Sequence, residues 1–130
     1  MILQFLEGQT LTSLLQEHGR LDEAETKEIL RKLASAMKYC HEIGVAHRDI
    51  KTDNILVDSN NNPMLIDFAF ATLSLGKKSQ SFCGTVSYMA PEVLAKEPYC
   101  PRKADIWSFG IVAFKMLFGV TEHPFLRKIS

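Results

Sequence analysis

Eight consecutive residues near the middle of the chain place a histidine, an arginine, two acids, a lysine and an amide at close spacing. The segment reads His47-Arg48-Asp49-Ile50-Lys51-Thr52-Asp53-Asn54. Each polar residue alone would be taken for a solvated loop group, but a chance match to the whole pattern is on the order of one in a million at average residue frequencies. Carboxylate, lysine and amide side chains can orient hydroxyl groups, offset negative charge and ligate metal ions, so the segment is a candidate catalytic loop.

Three further motifs follow this loop along the chain: Asp67-Phe68-Ala69, Ala90-Pro91-Glu92 and Asp105-Ile106-Trp107-Ser108-Phe109-Gly110. Together with the loop they resemble the eukaryotic protein kinases, and the resemblance covers nearly the whole chain. It implies an α+β fold: the mainly α-helical large, C-terminal lobe of the kinase fold with a short β-hairpin, truncated at both ends. Residues 1–130 would then form a partial kinase domain, from the hinge to the long central helix of the large lobe.

The resemblance implies a role for each polar residue of the site. Asp49 would accept or orient the proton of the substrate hydroxyl, and Lys51 would place a positive charge against the γ-phosphate of ATP. Asn54 and Asp67 would supply oxygen ligands to Mg²⁺. Thr85 would form hydrogen bonds with the catalytic aspartate and lysine. The expected cofactors are therefore ATP and Mg²⁺.

Three other residues match positions that contact adenine in this family. The segment Leu3-Gln4-Phe5-Leu6-Glu7-Gly8 looks like the hinge between the kinase lobes, so backbone groups of Gln4 and Leu6 would meet the base. The alternative for this segment is an ordinary edge strand. Leu56 matches the residue that forms the apolar floor under adenine, although a leucine in a strand is otherwise simply part of the core.

The substrate class follows from the same resemblance. The spacing Asp-x-Lys-x-x-Asn from Asp49 to Asn54 resembles the kinases that phosphorylate serine or threonine, and Gly84-Thr85 ahead of Tyr88 agrees. The expected partner is thus a protein substrate with a serine or threonine. Within the family the chain looks most like the calcium/calmodulin-dependent group, and there like the testis-specific serine kinases.

Ser81 matches the usual activating position of these kinases. Arg48, next to the catalytic aspartate, can pair with a phosphate on that serine and so order the loop between Asp67 and Glu92. This predicts an upstream activating kinase as a second partner. The alternative is that Ser81 is a solvated serine.

The composition excludes several other classes of function. Lysine plus arginine equals aspartate plus glutamate at 15 each, so no overall charge favours nucleic acid or an anionic membrane surface. Cys40, Cys83 and Cys100 lack the spacing of a zinc site or a disulfide framework and indicate reduced thiols. The longest apolar stretch, 106–120, is too short to span a membrane, and the first residues do not resemble a signal peptide. The expected location is the cytoplasm or the nucleus.

Hydrophobic periodicity and capping patterns predict four helices. A short helix covers 10–17, and a long one begins at Asp22, with Glu25 at capping-box spacing, and ends at Gly44. Pro91 can open a short third helix. The last helix, 104–119, is apolar nearly all round, which a helix tolerates only when protein surrounds it. Because further segments of the family's fold supply part of that cover, these 130 residues alone are expected to expose apolar surface.

Two short apolar runs predict the β-hairpin. They cover 55–57 and 64–66 and are separated by Asp58-Ser59-Asn60-Asn61-Asn62-Pro63, a strong turn composition. The polar stretch 45–54 is predicted to be a loop, and 71–87 a long functional loop. A strand is also predicted to end within Met1–Leu6 and to be broken by 7–10.

Two departures from the kinase pattern limit the prediction of activity. No Gly-x-Gly pair occurs among the seven glycines, and no Val-Ala-x-Lys strand precedes the hinge segment. These 130 residues alone are therefore expected to be inactive, and two readings stay open: part of an active kinase, or an inactive kinase-like scaffold that binds proteins. Ala69 stands where the family usually has glycine; if that position needs a positive φ, alanine costs about 1 kcal/mol there.

Overall fold

A computed structural model describes residues 8–125 of the chain. The hinge residues Gln4 and Leu6, and the strand predicted within Met1–Leu6, lie outside the described residues. The described part is α+β, as predicted. Its elements in chain order are β1 (Gln9–Thr10), α1 (Leu11–His18), α2 (Glu23–Glu42), β2 (Val45–Ala46), β3 (Ile55–Val57), β4 (Pro63–Leu65), β5 (Thr72–Leu73), α3 (Pro91–Leu94) and α4 (Pro101–Phe118), with short 3-10 helices at Thr52–Asn54 and Val86–Tyr88.

The two N-terminal helices begin close to the predicted positions because side-chain caps fix their first turns. The Thr10 hydroxyl accepts the Ser13 N–H at 3.1 Å, and the Asp22 carboxylate accepts the Glu25 N–H at 2.8 Å. Each cap satisfies a backbone donor that the helix itself leaves without a partner. The apolar stripe of α2 is buried against α4 and the hairpin. Its fully buried members are Ile29, Leu33 and Met37.

The predicted hairpin is present and forms the centre of a small sheet. Strand β3 pairs with β4 in antiparallel register, Leu56 opposite Met64, and β1 pairs with the other edge of β3. The prediction that residues 7–10 break the strand is therefore wrong at Gln9, which lies opposite Val57. A strand of two residues depends on its distant partner more than on its own sequence.

A second, two-stranded sheet joins segments that were predicted to be loops. Val45 lies opposite Leu73 and Ala46 opposite Thr72. This pairing brings the residues just before the segment 47–54, the candidate catalytic loop, against the residues that follow Asp67. The stretch 45–54 also ends in a 3-10 helix, so it is less irregular than its polar composition suggested.

The last helix begins three residues earlier than predicted, because Pro101 occupies its first turn, where a missing N–H is harmless. Val112 and Met116 are fully buried, but Ile106 and Phe118 are 58% and 57% exposed. The described part of the chain therefore leaves some of the apolar surface of α4 open, as expected for these residues alone. Among residues 8–125, no helix has both the length and the hydropathy needed to cross a membrane.

Candidate active site

Three of the predicted site residues meet in one hydrogen-bonded group. The Thr85 hydroxyl donates to Asp49 Oδ1 at 2.9 Å, and Lys51 Nζ donates to the Thr85 oxygen at 2.9 Å. Lys51 Nζ also lies 3.9 Å from Asp49 Oδ2, and the aspartate is buried. A buried carboxylate is stable only with such partners. Thr85 thus orients both charged groups, as the resemblance implied.

Asn54 adds a fourth member from the same loop. Its side-chain amide donates to the Asp49 backbone carbonyl at 2.9 Å and to Asp49 Oδ2 at 3.1 Å. Because the amide nitrogen is committed to Asp49, the side-chain oxygen is left as an acceptor. This oxygen accepts no hydrogen bond from residues 8–125, and it is not among their buried unsatisfied atoms.

Asp67 is delivered to the site by the end of the hairpin. The N–H of Ile66, the residue before it, donates to the backbone carbonyl of Asn54 at 3.0 Å. The Asp67 side chain is exposed, and one carboxylate oxygen accepts the Ala69 N–H at 3.3 Å. The hairpin therefore brings the backbone next to Asp67 against that of Asn54.

Ala69 does not have the positive φ that would make alanine unfavourable at this position. Ala69 is absent from the residues with positive φ among those described, whereas Asp67 itself adopts φ 57°. The left-handed conformation costs about 1–2 kcal/mol for a residue with a Cβ atom, and aspartate tolerates it better than most. Any local strain thus lies at the candidate ligand, and alanine at 69 is compatible with the backbone.

His47 ties Asp67 to the catalytic loop, a contact that the sequence analysis did not identify. Its ring accepts the Asp49 N–H at Nδ1, 3.1 Å away, so Nε2 carries the proton and donates to the Ile66 carbonyl at 2.9 Å. The ring is buried and packs edge-on against Phe68, with centroids 4.6 Å apart. Its position as the first residue of the loop motif was the available signal.

Asp105, from the first turns of α4, holds the backbone of the catalytic loop. Its two carboxylate oxygens accept the N–H groups of His47 and Arg48, each at 2.8 Å, and one also lies 2.9 Å from His41 Nε2. The side chain is almost completely buried. Arg48 has φ 66°, so this carboxylate stabilises a backbone turn that is otherwise unfavourable. In the sequence Asp105 stands out only as the first residue of one of the family's motifs.

The Arg48 guanidinium contacts Ser79 and not the predicted phosphorylation site, Ser81. Arg48 Nε donates to the Phe70 carbonyl at 2.7 Å, and Nη1 donates to the Ser79 hydroxyl at 3.2 Å. Ser81 is exposed, although its backbone is fixed, since its carbonyl accepts the Tyr99 hydroxyl at 2.8 Å. The Arg48 guanidinium thus lies beside the segment that carries Ser81, and the side chain that it contacts there, Ser79, is uncharged.

Gly84 lies where the loop passes closest to the catalytic segment. Its φ is +107°, and a Cβ atom there would come within 2.7 Å of the Arg48 backbone oxygen. We expect Gly84→Ala to lower the free energy of unfolding by about 1–3 kcal/mol, because backbone strain and a clash with main chain coincide. Urea denaturation measures this, with Gly76→Ala as the control: Gly76 also has positive φ but open space around it. Equal losses in both variants would contradict the clash.

Leu56, predicted to form the floor under adenine, is half-buried on β3 between β1 and β4. It is not sealed into the core, unlike its neighbours Ile55 and Val57. The hinge half of the adenine contact, Gln4 and Leu6, lies outside the described residues, so the structure shows only one side of that predicted contact.

The comparisons with known proteins agree with this geometry. The chain matches the protein kinase domain family over residues 1–129, and it belongs to that family. It is 40% identical to sperm motility kinase 2B of Mus musculus over 92% of the chain, which is 25% of that protein. It is 41% identical to CBL-interacting protein kinase 29 of Oryza sativa over 91% of the chain, 27% of that protein. The resemblance drawn from the catalytic loop is confirmed.

The chain spans about a quarter of the length of these curated relatives. The family generally uses ATP and magnesium, and two side chains among the described residues are of the kind that magnesium takes as ligands. Mg²⁺ keeps several waters and takes only one or two protein oxygens beside substrate phosphates. The free side-chain oxygen of Asn54 and the exposed carboxylate of Asp67 meet that requirement. No group of three or more histidine, cysteine or acidic side chains in 8–125 is placed to hold a metal by itself.

Proposed function

We propose that this chain is part of the large lobe of a protein serine/threonine kinase, in a partial kinase domain covering residues 1–130. The observation that carries the proposal is the group formed by Asp49, Thr85 and Lys51, in which one hydroxyl bridges a buried carboxylate and an ammonium. A scaffold protein without catalytic activity has no chemical need for this arrangement. Family membership and the hairpin that places Asp67 support the same assignment.

The proposed roles follow from the contacts. Asp49, held by Thr85 and Asn54, accepts or orients the proton of the serine or threonine hydroxyl of a protein substrate. The Lys51 ammonium donates to the same Thr85 hydroxyl that contacts Asp49, and from there it can turn towards a bound phosphate. Asn54 and Asp67 would hold Mg²⁺ through oxygen atoms, and Leu56 would lie under the adenine. ATP, when bound, supplies the phosphoryl group.

The test is transfer of the γ-phosphate from ATP to peptides. The full-length protein that contains this chain should label peptides with serine or threonine and leave matched tyrosine peptides unlabelled. Labelling of tyrosine peptides alone would overturn the substrate class. Absence of any transfer, with tight Mg-ATP binding also absent, would overturn the proposed activity.

A second candidate function is a kinase-like protein that binds partners without catalysis. This alternative stays open because the chain spans only about a quarter of the length of its curated relatives. Mg-ATP affinity distinguishes the two. Micromolar binding by the full-length protein supports the enzyme, and millimolar or weaker binding supports the scaffold.

Phosphorylation of Ser81 by an upstream kinase remains part of the proposal, with Arg48 as the cation that pairs with the phosphate. To do so, Arg48 must exchange its contact with Ser79 for the new anion. One charge-assisted hydrogen bond is worth about 1.5–3 kcal/mol. We therefore expect Ser81→Ala in the full-length protein to lower activity by about tenfold or more, measured as peptide phosphorylation.

Two further serine variants make this prediction specific. Ser59→Ala, in the exposed hairpin turn, should leave activity unchanged. Ser79→Ala removes the present partner of Arg48 and should have a smaller effect than Ser81→Ala. If Ser79→Ala lost activity while Ser81→Ala kept it, Ser79 would be the modified residue instead.

The proposed location is the cytoplasm or the nucleus. Cys40, Cys83 and Cys100 are all free thiols in the structure. Proteins of reducing compartments carry such isolated thiols. Fluorescence microscopy of the tagged full-length protein tests this assignment.

A further inference from the structure

A chain of hydroxyl groups runs from α1 through the catalytic loop to the end of the segment that carries Thr85. The Tyr88 hydroxyl lies 3.1 Å from Thr52 Oγ1, and Thr52 Oγ1 lies 2.7 Å from the hydroxyl of Thr12. The Thr12 oxygen is also 2.7 Å from Asp53 Oδ1. Three separate elements therefore meet at Thr52, which is 1% exposed.

The carboxylate at one end sets the direction of this chain. Thr12 has one proton and two acceptors at equal distance, and an ionised Asp53 can only accept. When the Thr12 hydroxyl donates its hydrogen bond to Asp53, the hydrogen bond between the two threonines must be donated by the Thr52 hydroxyl. Thr52 Oγ1 then needs a donor, which is the phenol of Tyr88.

Tyr88 is held in place from the opposite side by α4. The Ser108 hydroxyl donates to the Tyr88 backbone carbonyl at 2.7 Å. The Lys115 ammonium lies 5.3 Å from the centre of the Tyr88 ring and donates to the Val120 carbonyl at 2.9 Å. Burial raises the pKa of Tyr88, against an opposing effect of its hydrogen bonds with Thr52, so the phenol stays protonated and can donate.

The hydroxyl chain is one of two links between the same two segments. The first is the contact of Thr85 with Asp49 and Lys51 already described. The second joins Thr52, the residue after Lys51, to Tyr88, whose N–H donates to the Thr85 carbonyl at 2.9 Å. Because both links connect the same short stretches of backbone, a shift at one displaces the other.

We propose that Thr52 is a positioning residue: its hydroxyl, between Tyr88 and Thr12, sets the register that brings Thr85 onto Asp49 and Lys51. This inference rests on the proposed function. Because the side chain is 1% exposed, it would act through Thr85 and not by touching substrate or nucleotide. Valine has nearly the same shape as threonine, so packing alone does not require a hydroxyl in this buried position.

The test compares Thr52→Val with wild type in the full-length protein. We expect kcat for peptide phosphorylation to fall about 10- to 100-fold with KM for the peptide nearly unchanged, because the catalytic groups are displaced while the binding surface is kept. Thr52→Ser, which restores the hydroxyl, should recover most of the activity. Thr121→Val, at an exposed turn, is the matched control and should behave as wild type.

A double-mutant cycle with Tyr88→Phe checks the coupling. If the two hydroxyls act as one unit, Thr52→Val with Tyr88→Phe should be no slower than the slower single variant. Additive losses would overturn the proposal, as would a Thr52→Ser variant as slow as Thr52→Val, which would indicate a packing effect.

Amide hydrogen exchange across residues 85–90 gives a readout that does not depend on activity. Thr52→Val should speed exchange there, and Thr121→Val should not. If the wild-type protein transfers no phosphate, the proposed function fails, and exchange alone decides whether Thr52 fixes this segment. If Thr52→Val left both the exchange of residues 85–90 and kcat unchanged, Thr52 would not position this segment.

Discussion

Asp49→Asn should lower kcat for peptide phosphorylation by about 10²- to 10⁴-fold in the full-length protein, the contribution typical of a positioned general base. The substitution keeps the size of the side chain, and its carbonyl oxygen can still accept from Thr85. It removes the negative charge that lies beside Lys51 and that we propose accepts a proton from the substrate. The loss should therefore be in chemistry, with little change in the affinity for Mg-ATP.

Steady-state phosphorylation and nucleotide titration measure these two quantities separately. Asp22→Asn is the matched control, because asparagine caps a helix as well as aspartate does, so the variant should keep full activity. An Asp49→Asn variant that retained more than about a tenth of wild-type kcat would remove Asp49 from the proposed role.

Asp105→Ala should cause the largest loss of stability among single substitutions at the site, about 3–5 kcal/mol. It leaves two buried backbone N–H groups without acceptors, at about 1–3 kcal/mol each, and removes the partner of His41. The turn at Arg48 loses its support at the same time. Urea denaturation of the full-length protein, followed by circular dichroism, measures the loss.

Asp105→Asn provides a graded comparison. An asparagine oxygen can accept one of the two N–H groups, while its amide nitrogen faces the other donor, so this variant should fall between wild type and Asp105→Ala. A loss below about 1 kcal/mol for Asp105→Ala would show that other contacts hold the catalytic loop.

The long elements of the fold were predictable because their signals are local. The cap at Asp22 and the apolar stripe of α2 are contained within the helix itself, and the hairpin is marked by its turn. The strands β1, β2 and β5 were missed because each has two residues and exists only through its partner. Which side chains of α4 stay exposed was not predictable, because periodicity shows that a face is apolar but not what lies on it.

The site was predictable to a different degree. The motif named the residues that the structure brings together around Asp49, namely Lys51, Asn54 and Thr85, although the last lies 36 residues away along the chain. It did not reveal the backbone supports from His47 and Asp105, because main-chain contacts leave no requirement for a particular residue type at the other end. The roles of the site residues stay predictions until the variants are measured.

The carboxylate of Asp105 lies 58 residues after His47 in the chain, yet it fixes the backbone there. A ribosome therefore makes the catalytic loop well before it makes the group that shapes it. Until α4 has been synthesised and has docked, the loop lacks the acceptor for two of its N–H groups. The nascent chain is thus expected to expose these residues in an unformed state, and the hydrogen-bonded group around Asp49 is expected to form only after α4 is in place.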